Sequence, residues 1–352
     1  MSVWAEKIRP RFDSLFRGQR SAETARDGID TARHVPPFWV IVQKEFGDHI
    51  RSWRFAILLG IVVLACIGSI YTAVTALKDG VASDGSGTDT RFLFLSMFTV
   101  SDGTLPSFLT FLSFLAPLIG ISLGFDAINT ERSKGTLSRV LAQPVHRDDL
   151  LNAKFVAGVL LIAVVVFSLG FLVMGMGLIT IGYPPSPEEF GRVVLTLLLT
   201  TVYVGLWLNI SLFFSVRFRQ AATSALSGIA LWIFFLVFYG MIVSLIGNAI
   251  MPEDTADMSA MLDYHQWMTL LERLSPANLF QEAASTMLLP DVRTLSTFVT
   301  QEQAYRAVSA PLSLGQSTLL VWPHVVALVA ETVVMFAASY VLFMRQEIRS
   351  RS

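Results

Sequence analysis

Between Arg54 and Lys78 the chain carries no charged residue. As a helix, the 23 residues from Phe55 to Leu77 would reach about 35 Å, more than the roughly 30 Å of a bilayer's hydrocarbon core. Lipid offers backbone amides and carbonyls no partners, so a run of this length can cross only as a helix, which pairs them internally. Five further runs meet the same test: Leu105 to Phe125, Phe155 to Gly182, Val193 to Val216, Ala222 to Gly247, and Leu319 to Phe343. With 53% hydrophobic and 15% charged residues among 352, the chain reads as an all-α integral membrane protein with six transmembrane helices, and an ordinary soluble domain is excluded.

The cations give the expected orientation. An even number of spans puts both termini on one side, and twenty of the 26 Lys and Arg residues fall on that side: the segment up to Arg54, the loop 126–154, Arg217 with Arg219, and the tail from Arg345 onward. Because positive loops stay inside, both termini are expected to be cytoplasmic. The net charge of -1 hides this polarity and does not point to nucleic acid. The first 35 residues lack an apolar signal core, so the first span is expected to direct insertion. Cys66, the one cysteine, sits in a span and carries no redox information.

Six segments follow. Residues 1–35 form a polar cytoplasmic tail in which Trp4, Ile8, Phe12, Leu15 and Phe16 can share a helical face, with disorder as the open alternative. Residues 36–54 form an amphipathic interfacial elbow helix, with Trp39, Val42, Phe46, Ile50 and Trp53 on one side and Lys44, Glu45, Asp48 and Arg51 opposite. Residues 55–247 hold spans one to five, including the loop 126–154. Residues 248–318 form a helical extracytoplasmic loop before the last span, with helices around Met258 to Leu274 and from Pro276, capped by Ser275 and stopped by Pro290. The sixth span covers 319–345, and 346–352 is a cytoplasmic tail.

Within the loop, ERSKGTLSRVLAQPVHR at 131–147 predicts a short helix: Thr136 can cap it, Leu137, Val140 and Leu141 share a face, and Pro144 ends it. Arg132, Lys134, Arg139 and Arg147 surround that apolar ridge. The longer run NTERSKGTLSRVLAQPVHRDDLLNAKF resembles the cytoplasmic loop of ABC type-2 permeases, with Glu131, Gly135, Thr136, Leu141, Pro144, Arg147 and Lys154 at the pattern positions. QKEF before the first span and SPANLF before the last agree, and the arrangement is most similar to the branch grouped with multicopper-enzyme maturation permeases.

The resemblance implies a coupling helix that docks on a separate ATPase, with Glu131, Gly135, Thr136, Leu137, Val140, Leu141, Pro144 and Arg147 as the coupling residues. It also implies two ABC ATPase subunits, a second permease chain, identical or not, and the lipid bilayer as partners, in the plasma membrane of a prokaryotic cell. ATP and Mg would be bound by the ATPase and no cofactor by this chain.

Other features point away from chemistry in the chain itself. LSLGQ at 312–316 looks like an ATPase signature but lacks its second glycine, and no Gly-Lys dipeptide occurs, so a Walker A loop is absent. The histidines at 34, 49, 146, 265 and 324 lack ligand spacing. Met174 and Met176 in the third span read as packing residues, and Gly120 with Gly124 as a close helix contact. Glu331, inside the sixth span, is either on a translocation path or dimer interface or an acid that stabilises the bundle. The expected function is the transmembrane subunit of an ABC exporter. The alternatives are an ion-gradient-driven carrier and an ABC complex doing mechanical work on lipid or on an outer-side protein.

Overall fold

A computed structural model describes residues 37–83, 92–135, 146–252, 258–290 and 312–346, and every regular element among them is helical. The interfacial helix α1 (Pro37–Ile50) leads into span 1, α2 (Trp53–Ser83). A short α3 (Leu93–Thr99), not expected from the sequence, precedes span 2, α4 (Phe108–Gly124), which continues through a turn into α5 (Asn129–Ser133). Spans 3 and 4 are α6 (Arg147–Ile181) and α7 (Pro187–Arg217). Span 5 is α8 (Ala221–Ile233), a π turn (Phe234–Phe238) and α9 (Tyr239–Ile250). Then come α10 (Met258–Glu272), α11 (Pro276–Leu288) and span 6, α12 (Leu314–Arg345). All six are long and apolar enough to cross a membrane. The expected features of residues 1–35, 136–145 and 347–352 lie outside the described residues.

Local chemistry sets several ends. Ser186 and Glu189 form a reciprocal capping box with Pro187 in the first turn of α7, so that helix starts before the charge-free run does. Ser313 and Gln316 do the same for α12, which accounts for the Ser and Gln of LSLGQ as helix-start chemistry. Gly182 closes α6 at φ +85°, a conformation only glycine adopts without cost.

Span 4 is the axis of the bundle. It packs on spans 2, 3, 5 and 6, and Trp207 and Tyr203 are buried within it. The Gly120/Gly124 face of span 2 lies against its backbone: an added Cβ would come to 2.6 Å from the Val204 carbonyl oxygen at Gly120 and 2.8 Å from that of Leu208 at Gly124. In lipid, where hydrophobic burial gives no advantage to helix pairing, such backbone proximity supplies the packing. Met174 is buried while Met176 is exposed, so the two thioethers do not form one site.

Two expectations are revised. On α1, Val42 and Glu45 are the buried residues, while Trp39 and Ile50 are exposed, as is Trp53 at the start of α2. Glu45 thus leaves the expected polar side because a buried cation awaits it on span 3. The helical loop expected outside the membrane packs α11 into the bundle. Phe280 stacks on Tyr203, in mid-span 4, with ring centroids 4.5 Å apart, and Gln281 accepts a hydrogen bond from Ser113 of span 2 at 2.5 Å. Of the two helices of this α10–α11 hairpin, α11 is wedged between spans, because it carries Leu279, Phe280, Ala283, Ala284, Met287 and Leu288 on a surface that only the bundle can bury, while no described residue of α10 is buried.

Candidate functional site

Lys154 lies seven residues into α6, about two turns from its start, and is 4% exposed. An unpaired ammonium there would be very costly. Its Nζ meets Glu45 Oε2 of α1 at 2.8 Å and Glu131 Oε1 of α5 at 2.8 Å. Lys44 reaches Glu45 Oε1 at 3.2 Å from the surface. Burial alone would raise the Glu45 carboxyl, but Lys154 and Lys44 hold it below the ordinary glutamate value. Burial also lowers the neighbouring His49. One buried cation therefore joins the interfacial helix, the end of span 2 and the start of span 3.

A second knot joins the loop stems to spans 4 and 6. Ser215 Oγ accepts from the backbone N–H of Ile128 and Asn129 at 3.0 and 3.3 Å. Arg132 donates to Gln346 Oε1 at 2.7 Å, and Gln346 Nε2 donates to the Val216 carbonyl at 2.6 Å. Arg147 donates to the Phe343 and Gln346 carbonyls at 2.8 and 2.6 Å and lies over the Phe343 ring at 5.1 Å. The last carbonyls of a helix lack partners within it, and its C-terminal end favours cations. Arg54 pairs with Asp126 at 2.8 Å and completes the ring of anchors.

Of the residues expected to couple, Glu131 and Arg147 are both in these anchors, and Gly135 takes φ +68°, open to glycine at little cost. Thr136, Leu137, Val140, Leu141 and Pro144 lie outside the described residues. Glu331 is remote, fifteen residues before Gln346 and so about 22 Å away along span 6. It is half-buried, its Oε2 has no hydrogen-bond partner among the described residues, and the next residue, Thr332, accepts from Asn209 of span 4 at 3.1 Å.

Glu45, Gln346 and Ser215 were not legible as site residues. The available signals were Lys154, a cation entering an apolar helix that must find anions, and the QKEF phrase that contains Glu45. At the far end of the bundle Arg192 is fully buried. It donates to Glu188, Ser317, Met287 and Leu312.

Six candidate spans, braced at one end by buried ions at the stems of a charged loop, make this a polytopic membrane protein. The chain belongs to the ABC-2 family of transporter proteins, whose family model matches residues 39–348, and it is an ABC type-2 permease. It is 28% identical over 215 residues to the probable ABC transporter permease protein NosY of Pseudomonas aeruginosa, covering 59% of this chain and 70% of that one. To the protein of the same description from Stutzerimonas stutzeri it is 26% identical over 209 residues, covering 58% and 68%.

Proposed function

We propose that this permease couples ATP hydrolysis by two separate ABC ATPase subunits to the export or extrusion of a substrate, working beside a second permease chain. The loop 126–154 faces the cytoplasm and docks on the ATPase through Leu137, Val140 and Leu141, with ATP and Mg held by the ATPase. The observation that carries this is the anchoring of both loop stems. Glu131 and Lys154 tie them to α1, and Arg132 and Arg147 tie them to span 6. A push on a loosely hung loop would be absorbed locally, whereas a push on this one moves several helices together.

A photocross-linking residue at exposed Lys134 should capture the ATPase in cells, and one at exposed Tyr183, at the other end of the bundle, should not. Capture from Tyr183 alone would reverse the orientation and overturn the docking assignment.

Mechanical work on lipid or on an outer-side protein is the second reading, favoured by the exposed Leu262, Trp267, Leu270 and Leu274 on the hairpin. An ion-gradient mechanism would rest on Glu331 alone. Full ATP-driven transport by Glu331→Gln would remove the residue from the path.

A further inference from the structure

The turn between α10 and α11 lies at membrane depth. Arg192, at the far end of the bundle, donates to the Met287 carbonyl at 3.0 Å, His324 of span 6 meets Glu282 at 2.9 Å, and Phe280 stacks on Tyr203 in mid-span 4. Followed back toward its start, α11 therefore runs from that end into the bundle. His324 precedes Thr332, which is level with Asn209 of span 4, by eight residues, about 12 Å. Ser275 precedes Glu282 by seven, about 10 Å. The turn 272–275, closed by a bond from the Ser275 N–H to the Glu272 carbonyl, thus reaches the middle of the charge-free run 193–216 of span 4 or deeper. Contacts of α10 with span 5 agree. Tyr239 donates to the Leu271 carbonyl, and Gly247, eight residues further along span 5, faces Met268 and Tyr264, so α10 descends to the turn as α9 rises.

What the turn carries does not suit lipid. Arg273 pairs with Glu282 at 2.8 Å, and His324 contacts the same carboxylate. Glu272 and Asn278 are exposed, and Glu272 makes no ion pair among the described residues. Asp263, Gln266, Thr269 and Glu272 follow one another at three-residue steps on α10. Each step turns about 60° around the helix, so the four form one winding polar stripe that leads down to the turn. An ionisable group at such depth is costly in hydrocarbon and faces a cavity or a partner. A partner packed on this side would have to bring a cation to Glu272, whereas water needs only a path, and the stripe continues as one along α10.

We infer that α10 and the turn 272–275 line a water-filled vestibule that opens at the end of the bundle opposite the loop 126–154, with Glu272 at its floor. The floor holds two carboxylates, Glu272 and Glu282, against one guanidinium, Arg273, a net charge of -1 with His324 neutral. It favours a hydrated cationic group of a solute over an anion or an acyl chain. That the opening lies outside the cell rests on the orientation proposed above.

The test labels the full chain in membrane vesicles, with Cys66→Ala removing the one native thiol and single cysteines introduced in turn. A membrane-impermeant cationic methanethiosulfonate is applied from one face at a time. From outside, Gln266→Cys and Glu272→Cys should react, as should Tyr183→Cys at the surface, and Lys134→Cys in the loop should not. Val333→Cys, beside Thr332 and so at the depth of the turn, is 59% exposed. It should react at least about tenfold more slowly than Glu272→Cys, because apolar surroundings suppress the thiolate. Asn278→Cys should react faster with the cationic reagent than with an anionic one, and Glu272→Gln should abolish that preference. Protection of Glu272→Cys from both faces, labelling of Val333→Cys as fast as Glu272→Cys, or labelling of Glu272→Cys only from the face that labels Lys134→Cys overturns the vestibule. Equal rates for the two reagents at Asn278→Cys overturn the preference for cations. If Lys134→Cys reacts from outside and Glu272→Cys from inside, the orientation fails while the vestibule stands.

Discussion

Replacing Lys154 by Met removes the buried cation between the buried Glu45 and the partly buried Glu131 while keeping the side chain's volume. At 2.8 Å to each of Glu45 and Glu131, each pair contributes roughly 6 kcal/mol of attraction at an effective dielectric of about 20, and desolvation of the three ions offsets most of it. Removing one partner of a buried pair exposes that desolvation cost uncompensated and typically destabilises by about 3–5 kcal/mol. Unfolding of the purified permease in mixed micelles should show a loss in that range at neutral pH. The loss should shrink at acid pH, because burial without Lys154 raises the Glu45 carboxyl and its protonation removes the stranded charge. Lys154→Met combined with Glu45→Gln and Glu131→Gln leaves no buried charge at the cluster and should recover at least half of it. A single substitution costing less than about 1 kcal/mol, or a triple variant as damaged as the single, would refute the assignment of Lys154 as the joint between α1 and the loop.

Gly124→Ala places a methyl 2.8 Å from the Leu208 carbonyl oxygen and should destabilise by about 1–3 kcal/mol. Gly175→Ala, with nothing within 4 Å, should change stability by less than about 0.5 kcal/mol in the same assay. In the native protein Glu45 and Glu282 both titrate below the ordinary glutamate value, each despite burial, Glu45 through Lys154 and Lys44, Glu282 through His324 and Arg273. Their contribution is therefore complete above the unfolded-state value near 4.5 and is lost as pH falls through the lower native values. Wild type should lose stability with acid, and a Glu45→Gln/Glu282→Gln variant should show a flatter acid limb. Arg147→Gln removes two charged hydrogen bonds to the end of span 6, about 1.5–3 kcal/mol each. Faster amide exchange at Phe343 to Gln346 reads that loss, and no change there would count against the anchor.

The spans were legible because absence of charge over twenty residues is a local property that lipid enforces. Their ends were less so: Pro187 and Ser313 begin helices several residues before the apolar runs, through capping chemistry that hydropathy does not weigh. The helices of the hairpin could be read from Ser275, Pro276 and Pro290, but not their depth, since the partners that draw α11 inward, Tyr203 and Ser113, lie 77 and 168 residues away from Phe280 and Gln281. Glu45 looked solvent-facing for the same reason, as its partner Lys154 is 109 residues distant. The loop's motif singled out Glu131 and Arg147, and both sit among the anchors. That Arg147 caps the end of span 6 depends on a meeting of chain segments 196 residues apart, which no local pattern records.

The docking role of the loop 126–154 is tested most directly by ATP hydrolysis in the complex that co-purifies with this chain in mild detergent, wild type against Leu137→Asp/Leu141→Asp. An ATPase that accompanies wild type and is lost from a variant still folded, as judged by an unchanged unfolding transition, is the expected result. An ATPase bound equally by both, or by neither while the wild-type permease remains folded, would contradict it.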